Sequence, residues 1–299
     1  IYSNDAYREH LSFRNNEQTI MLGFSDGTKD GGYLTANWKI LTAKEKLTRV
    51  SRKHKIKVKF FDGRGGPPAR GGGNTHQFYS SLGNIIESDD IQVTIQGQTI
   101  SSNFGTLDSC KYNLEQLISS AVKNKINNQS DTFSKENRKV IEQLSTISHK
   151  AYQEFKNHPS FLGYLENMTT IKYYAKTNIG SRPSKRSGDD SKFDFDSLRA
   201  IPFVGSWAQL KQNVPGFYGL GSALMYFQEK NNFSQVKKLY REVPFFRALI
   251  SNSMMSLNKS FFELTAYMSK NEDYGEFWNL IYKEYLLTKK MVLRLTGYT

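Results

Sequence analysis

Two arginines set among glycines are the first place where this sequence offers chemistry. The segment Gly63-Arg64-Gly65-Gly66-Pro67-Pro68-Ala69-Arg70-Gly71-Gly72-Gly73 holds six glycines in eleven residues. Glycines let the backbone approach a ligand and present N–H groups to it. Arg64 and Arg70 add planar forks that match phosphate or carboxylate. A flexible surface loop and an RGG-type nucleic-acid segment are the other readings. The segment occurs once and follows a strand pattern, which argues against the second. It is not a dinucleotide fingerprint, because Pro68 stands where the third glycine is required. Ser25-Asp26-Gly27-Thr28-Lys29-Asp30 is a second candidate. A carboxylate such as Asp26 suits Mg²⁺ or Mn²⁺, and Lys29 three residues on can meet a phosphate. Its plainer reading is an Asp helix cap with surface charges. Gly180-Ser181-Arg182-Pro183-Ser184-Lys185-Arg186 and Leu198-Arg199-Ala200-Ile201-Pro202 each put an arginine beside an expected strand, where a surface ion pair is the common outcome. His10, His54, His76, His149 and His158 show no zinc-site spacing.

The elements that must carry these residues alternate in type. Thr19 to Phe24 reads as a buried strand, Ser25 to Gly32 as its loop, and Tyr33 to Lys53 as a helix. Ile56, Val58 and Phe60 alternate with Lys55, Lys57 and Lys59, a strand pattern closed by Phe61-Asp62. The glycine-dense loop follows, then a helix from near Asn74. Ile91, Val93 and Ile95 mark a third strand, Gly97 to Gly105 its loop, and Leu107 to Ile126 a helix with Leu114, Leu117, Ile118 and Val122 on one face. Strand, loop and helix repeated in this way imply parallel β/α units, whose active sites lie on the loops after the strands. Beyond Asp131 the chain reads as helical, with Val140, Leu144, Ile147, Ala151 and Phe155 on one stripe. Short strands are expected over Tyr173–Ile179 and Ala200–Phe203, and a mobile loop over Gly180–Asp196. The last hundred residues read as helices. There Phe246, Leu249, Ile250, Met254, Leu257, Phe261, Leu264 and Met268 keep helical spacing after Pro244 at a helix start.

The chain has 299 residues, 38% hydrophobic and 23% charged, which is globular composition and enough for one large domain or two small ones. No run approaches eighteen apolar residues, so no membrane span is expected. The start, Ile1-Tyr2-Ser3-Asn4-Asp5, is not a signal peptide and lacks an initiator Met. One cysteine, Cys110, excludes an internal disulfide and fits a reducing, cytoplasmic setting. It reads as a small residue near a helix start rather than a nucleophile. A net charge of +13 attracts anions: nucleic acid, phosphorylated or carboxylated metabolites, or an acidic remainder of a longer protein.

Taken in order, the segments resemble one family. Met21 to Gly32 is similar to the M-x-G-Y-S-D-S-x-K-D-x-G block of phosphoenolpyruvate carboxylases. Phe61 to Gly73 resembles their F-H-G-R-G-G-x-x-G-R-G-G-G loop, and Val93 to Ile100 their V-T-E-Q-G-E-x-I strand. Gly180 to Arg186 resembles G-S-R-P-x-K-R, and Leu198 to Trp207 resembles L-R-A-I-P-x-x-x-x-W. The blocks run from about Gln18 to Gly221, with weaker helical similarity beyond. The resemblance implies a biotin-independent lyase that forms oxaloacetate and phosphate from phosphoenolpyruvate and bicarbonate, with Mg or Mn. It implies an α/β, helix-rich fold: part of a TIM-like barrel over residues 1–221, with a helical region over 222–299 packed against it. By position, Asp26 would be a metal ligand with Lys29 beside it. Arg64 would bind the reacting phosphate, and Arg182 and Arg199 would face the same side. Arg70 would sit on a mobile loop linked to inhibition by aspartate or malate, and Lys259 would align with an inhibitor-site lysine. The family also implies a homotetramer, with no membrane and no nucleic acid as partner.

This chain departs from the family pattern at three places. Asp62 stands where the family has histidine, Pro67-Pro68-Ala69 stiffens the middle of the loop, and Ile95 and Gln98 replace two glutamates. The family's T-A-H-P-T histidine loop, another active-site arginine, the second metal carboxylate and the C-terminal inhibitor-site residues are not found. The expectation is therefore an internal fragment of the enzyme, inactive alone. An anion-binding or regulatory module that has lost catalysis, and a basic nucleic-acid binder, are the competing readings.

Overall fold

The computed structural model describes residues 1–83, 85–88, 90–95, 98–126, 133–174 and 194–298. Helix α1 (Asp5–Ser12) leads into β1 (Glu17–Leu22), α2 (Phe24–Gly31) and α3 (Tyr33–Lys53). Strand β2 (Lys57–Gly65) runs into a 3₁₀ turn over Pro68–Arg70 and then α4 (Thr75–Ser80). Strand β3 (Ile91–Ile95) is followed by α5 (Gln98–Phe104) and α6 (Leu107–Ile126). Next come α7 (Lys135–Lys156), α8 (Phe161–Met168), α9 (Ile171–Tyr174) and α10 (Ala200–Gln209). After a 3₁₀ turn at Val214–Gly216 the chain forms α11 (Leu220–Glu229), α12 (Phe233–Glu242) and α13 (Pro244–Asn258), a 3₁₀ stretch over Phe262–Lys270, and α14 (Gly275–Thr296).

The three strands form one parallel sheet in the order β1-β2-β3. Glu17 pairs with Lys57 and Leu22 with Asp62, while Phe60 pairs with Ile91 and Asp62 with Val93. Alternation gives the sheet two different faces. Val58, Phe60, Asp62 and Arg64 are buried on one, where Val58 and Phe60 share a core with Leu34, Trp38 and Leu41 of α3. Lys57 and Lys59 project from the other and bridge to Glu17 and Asp90, with Lys59 Nζ 2.7 Å from Glu17. Met21 is exposed on this same face. The core behind the sheet draws on α3, α7 and all of α11 to α14, and a second, aromatic core joins α7, α8, α10 and α14.

Several expectations are corrected. Residues 25–31, read as a loop, are helical in α2. Their glycine and carboxylate content suits a loop, but Phe24, Thr28 and Lys29 are buried and Thr28 Oγ1 donates to Phe24 O at 2.8 Å. A side chain at Gly27 would approach Ala36 Cβ at 3.3 Å, so the glycine lets α2 lie close on α3. Strand β2 continues past Asp62 to Gly65, with an irregularity in its pairing to β3. The stretch after β3 holds α5 over Gln98–Phe104. Ala200–Phe203 begins helix α10 and is no strand. An apolar run this short does not distinguish the two by periodicity, and Pro202 falls in the first helical turn, where its missing N–H costs nothing. Tyr173 and Tyr174 end the short helix α9, and residues 175–179 of that expected strand lie outside the described residues. Residues 180–193 of the expected mobile loop, Arg182 among them, lie outside them too. Of the four α6 residues expected on one face, Leu117 packs on the core, while Leu114, Ile118 and Val122 are exposed. The stripe beginning at Phe246 holds through Leu257 but breaks where α13 ends, leaving Phe261 and Leu264 exposed. Tyr33–Lys53, Ile91–Ile95 and Leu107–Ile126 form as expected. No helix among the described residues is long and apolar enough to cross a membrane.

One buried carboxylate ties the last helix to α11. Glu284 of α14 accepts from the Gly219 and Ser222 backbone N–H groups at 3.0 and 3.1 Å, and from Ser222 Oγ at 2.7 Å. These are the donors that the start of α11 cannot satisfy internally. Burial pushes the Glu284 carboxyl above its usual range, and the hydrogen bonds oppose that rise. Replacing Glu284 with alanine is expected to lower stability by about 2 kcal/mol, read as a urea midpoint. A carboxyl raised in the fold stabilises most below its unfolded value of 4.5 and loses that contribution as pH rises through the folded one. The gap between wild type and Glu284→Ala should therefore narrow as the pH is raised from 4.5.

Candidate active site at the strand ends

Strands β1 and β2 are parallel neighbours, so the segments leaving their C-terminal ends meet. Asp26 lies in the first turn of α2, directly after β1. Ser25 Oγ donates to Arg70 O at 3.0 Å, and a Cβ on Gly71 would sit 2.7 Å from Phe24 O. Asp26 and Arg70 are thereby brought within electrostatic reach. Burial pulls the Arg70 guanidinium below its usual value, and the Asp26 carboxylate opposes that shift.

The glycine loop is folded back on itself. Gly71 and Gly73 have positive φ, +78° and +115°, where a side chain is strained. A Cβ on Gly72 would lie 1.8 Å from Gly66 O, and one on Gly73 would lie 2.3 Å from Asn252 Oδ1. Two residues missed in the sequence hold this shape. Asn252 of α13 accepts from Asn74 N–H at 2.9 Å and donates to Tyr33 OH at 2.9 Å, and Tyr33 OH donates to Gly72 O at 3.4 Å. Burial pushes the Tyr33 hydroxyl up to about 12, against the pull of Arg64 and Asn252, so it stays a donor at neutral pH. The available signal was Asn252 itself, a polar residue on the apolar stripe of α13 three positions after Leu249.

Arg64 is buried at the end of β2. Its Nη2 donates to Gly72 O at 3.2 Å and Asn74 O at 3.4 Å, and its guanidinium carbon lies 3.9 Å from the centre of the Phe78 ring. Its Nε is buried with no hydrogen-bond partner. Burial lowers its affinity for the proton, and Tyr79, Tyr33 and Asp62 oppose that effect. Arg199 caps α10, which packs on α2 and on the 3₁₀ turn carrying Arg70; its Nε is also buried without a partner. Two guanidinium N–H groups without acceptors are what an anion would satisfy. Lys29, 4% exposed, pairs with Asp30 at 3.1 Å and lies 4.2 Å from the centre of the Phe195 ring. The structure thus gathers Asp26, Lys29, Arg64, Arg70 and Arg199 on elements that touch. Lys259 is exposed at the C-cap of α13, where its N–H donates to Met255 O.

Asp62, 1% exposed, faces inward beside Arg64. Its Oδ2 accepts from Lys44 Nζ at 2.6 Å and from Tyr79 OH at 2.9 Å. Lys44 comes from the buried side of α3, three residues after Leu41, a spacing that marks it in retrospect. A cavity of about 600 Å³ is lined by Asp30, Thr35, Lys39, His149 and Lys156, with no arginine in its wall.

A divalent cation needs hard oxygen donors. No cluster of three or more His, Cys, Asp or Glu residues suited to a metal occurs among the described residues. Asp26 offers one exposed carboxylate beside Arg70. Mg²⁺ is commonly held by one or two carboxylates, with water and phosphate oxygens filling the rest, so the donor chemistry fits.

The family model described as Phosphoenolpyruvate carboxylase matches residues 1–299.

Replacing Asn252 with alanine removes both clamps on the glycine loop. Stability should fall by about 2 kcal/mol. Trypsin should cut faster after Arg70 than in wild type, as followed by mass spectrometry of a timed digest.

Proposed function

We propose, on the premise that the chain belongs to the phosphoenolpyruvate carboxylase family, that it carries the anion-binding part of an active site that makes oxaloacetate and phosphate from phosphoenolpyruvate and bicarbonate. The supporting observation is the gathering of Arg64, Arg70 and Arg199 around a glycine loop that abuts Asp26, at the adjacent ends of two parallel strands. The open face of the sheet supports a larger β/α barrel. Parallel sheets are ordinarily covered on both faces, and among the described residues this one has α3 packed on one face and exposed side chains on the other. We assign residues 1–221 to that barrel wall and 222–299 to helices packed on it.

In this reading Arg64 and Arg199 bind the phosphate of phosphoenolpyruvate, with their Nε donors satisfied by its oxygens. Arg182, by its place in the matching motif, joins them. Asp26 would hold Mg²⁺ or Mn²⁺, which when bound neutralises charge on the phosphate and enol oxygens. A bicarbonate oxygen attacks phosphorus and the bond to the enol oxygen breaks, giving carboxyphosphate and the enolate of pyruvate. Carboxyphosphate releases carbon dioxide and phosphate, which keeps the bicarbonate proton, and C3 of the enolate attacks the carbon dioxide. The arginines stabilise the charge on the phosphoryl oxygens while the bond to the enol oxygen breaks and charge develops on the enolate. The glycine loop excludes water that would protonate C3 and end the reaction at pyruvate. Lys29, paired with Asp30, keeps a positive charge at the edge of the site. Arg70, on the loop, and Lys259 are the groups through which aspartate or malate would act. A homotetramer is the assembly the family suggests.

The test follows oxaloacetate formation by the intact enzyme containing these residues, with and without Mg²⁺. Metal-dependent turnover that falls by about a hundredfold or more in Asp26→Ala is expected. The 299 residues include no T-A-H-P-T segment, so the chain expressed alone should make no oxaloacetate. Phosphoenolpyruvate binding by the intact enzyme without turnover would instead identify an anion-binding module.

A further inference from the structure

Asp62 is the most conspicuous departure from the family pattern, because a carboxylate stands where a histidine is expected beside a phosphate-binding arginine. An unpaired carboxylate there would repel the substrate. The structure shows that Asp62 is not unpaired. Lys44 Nζ lies 2.6 Å from its Oδ2 with both side chains almost wholly buried, and Tyr79 OH donates to the same oxygen at 2.9 Å. The ammonium also lies 5.0 Å from the centre of the Phe60 ring and 5.9 Å from that of Tyr79.

Tyr79, together with Phe78, also lies beside Arg64. Its guanidinium carbon lies 3.9 Å from the centre of the Phe78 ring and 5.9 Å from that of Tyr79, and those two rings meet edge to face at 5.3 Å. Lys44, Asp62, Tyr79, Phe78 and Arg64 therefore form one continuous packed chain. Asp62 and Arg64 also share a face of β2, two residues apart. Burial draws Lys44 towards its neutral form, and the Asp62 carboxylate opposes that.

We propose that Lys44 and Asp62 act as a charge-neutral positioning pair that fixes Arg64 through the Tyr79 and Phe78 rings. Asp62 then does not replace the family's histidine at the substrate, and changing it back to histidine alone does not improve the enzyme. Such a change leaves the Lys44 ammonium buried without its carboxylate, a state far less favourable than either the intact pair or two neutral groups. The inference rests on the reading above for the identity of the anion, but the pairing itself does not.

A double-mutant cycle in the intact enzyme tests it, with kcat and KM for phosphoenolpyruvate, thermal midpoint and inorganic phosphate affinity measured for each variant. K44M and D62N are each expected to lower kcat/KM by about tenfold or more, and K44M/D62N to return to within about threefold of wild type. D62H should lose activity in the presence of Lys44 and regain it in K44M/D62H. If K44M does not fold, Y79F carries the same test, since it removes only the hydroxyl contact to Asp62 and should still lower kcat/KM. Folded single variants with wild-type kcat and KM would reduce the pair to a structural contact and overturn the proposal. So would a D62H variant faster than wild type. If wild type makes no oxaloacetate, the functional reading fails separately. The pair is then judged on inorganic phosphate affinity across the same cycle, where coupling upholds it and additivity overturns it.

Discussion

Backbone contact within the glycine loop is the constraint on which the candidate site depends. Between Gly66 and Asn74 the main chain passes so near to itself, to Phe24 O and to Asn252 that Gly71, Gly72 and Gly73 have no room for a side chain. This closeness puts the Gly72 carbonyl against both Tyr33 OH and Arg64. It also lets Ser25 reach the carbonyl of Arg70, which brings the loop after β2 onto the helix after β1. A looser loop would leave Asp26 and Arg70 on separate elements with nothing to fix their spacing.

Polar groups inside the protein do the holding. Asn252, Tyr33, Arg64, Lys44 and Asp62 are buried, and each meets a partner of complementary chemistry. Buried polar networks rigidify when their members are satisfied, and the donors left over mark where a ligand would complete them. At the candidate site the Nε atoms of Arg64 and Arg199 are such donors. The opposite face of the sheet is built differently. Its lysines and acids pair across strands at the surface, where such bridges contribute little.

Much of this was legible in the sequence, and the limits have physical causes. Period-two alternation placed Ile91–Ile95, and helical spacing bounded Tyr33–Lys53 and Leu107–Ile126, because burial of one face imposes those periods. Motif order marked Asp26, Lys29, Arg64, Arg70 and Arg199 as candidates, and the fold brings the elements that carry them into contact. Helix α2 escaped notice because two glycines and two aspartates lower helix propensity, while packing of Phe24 and Thr28 overrides it. The apolar start of α10 is too short to show its period. Asp62 was recognised as a departure, but its partner could not be named, since Lys44 lies eighteen residues earlier on another element and only the fold brings the two together. The clamp by Asn252 was hidden for the same reason.

The hydrogen bond from Asn74 N–H to Asn252 spans 178 residues of chain, and the one from Asn252 to Tyr33 spans 219. During synthesis the glycine loop leaves the ribosome long before its clamp exists. At about 5–20 residues per second, Asn252 follows Asn74 by about 9–36 s. Through that interval the loop holds its glycines and arginines without their closing partner, so the site takes its final form after α13 has docked rather than when the sheet first assembles. The order of translation thus makes the anion-binding loop a late product of folding, although its residues are made well before those of α13.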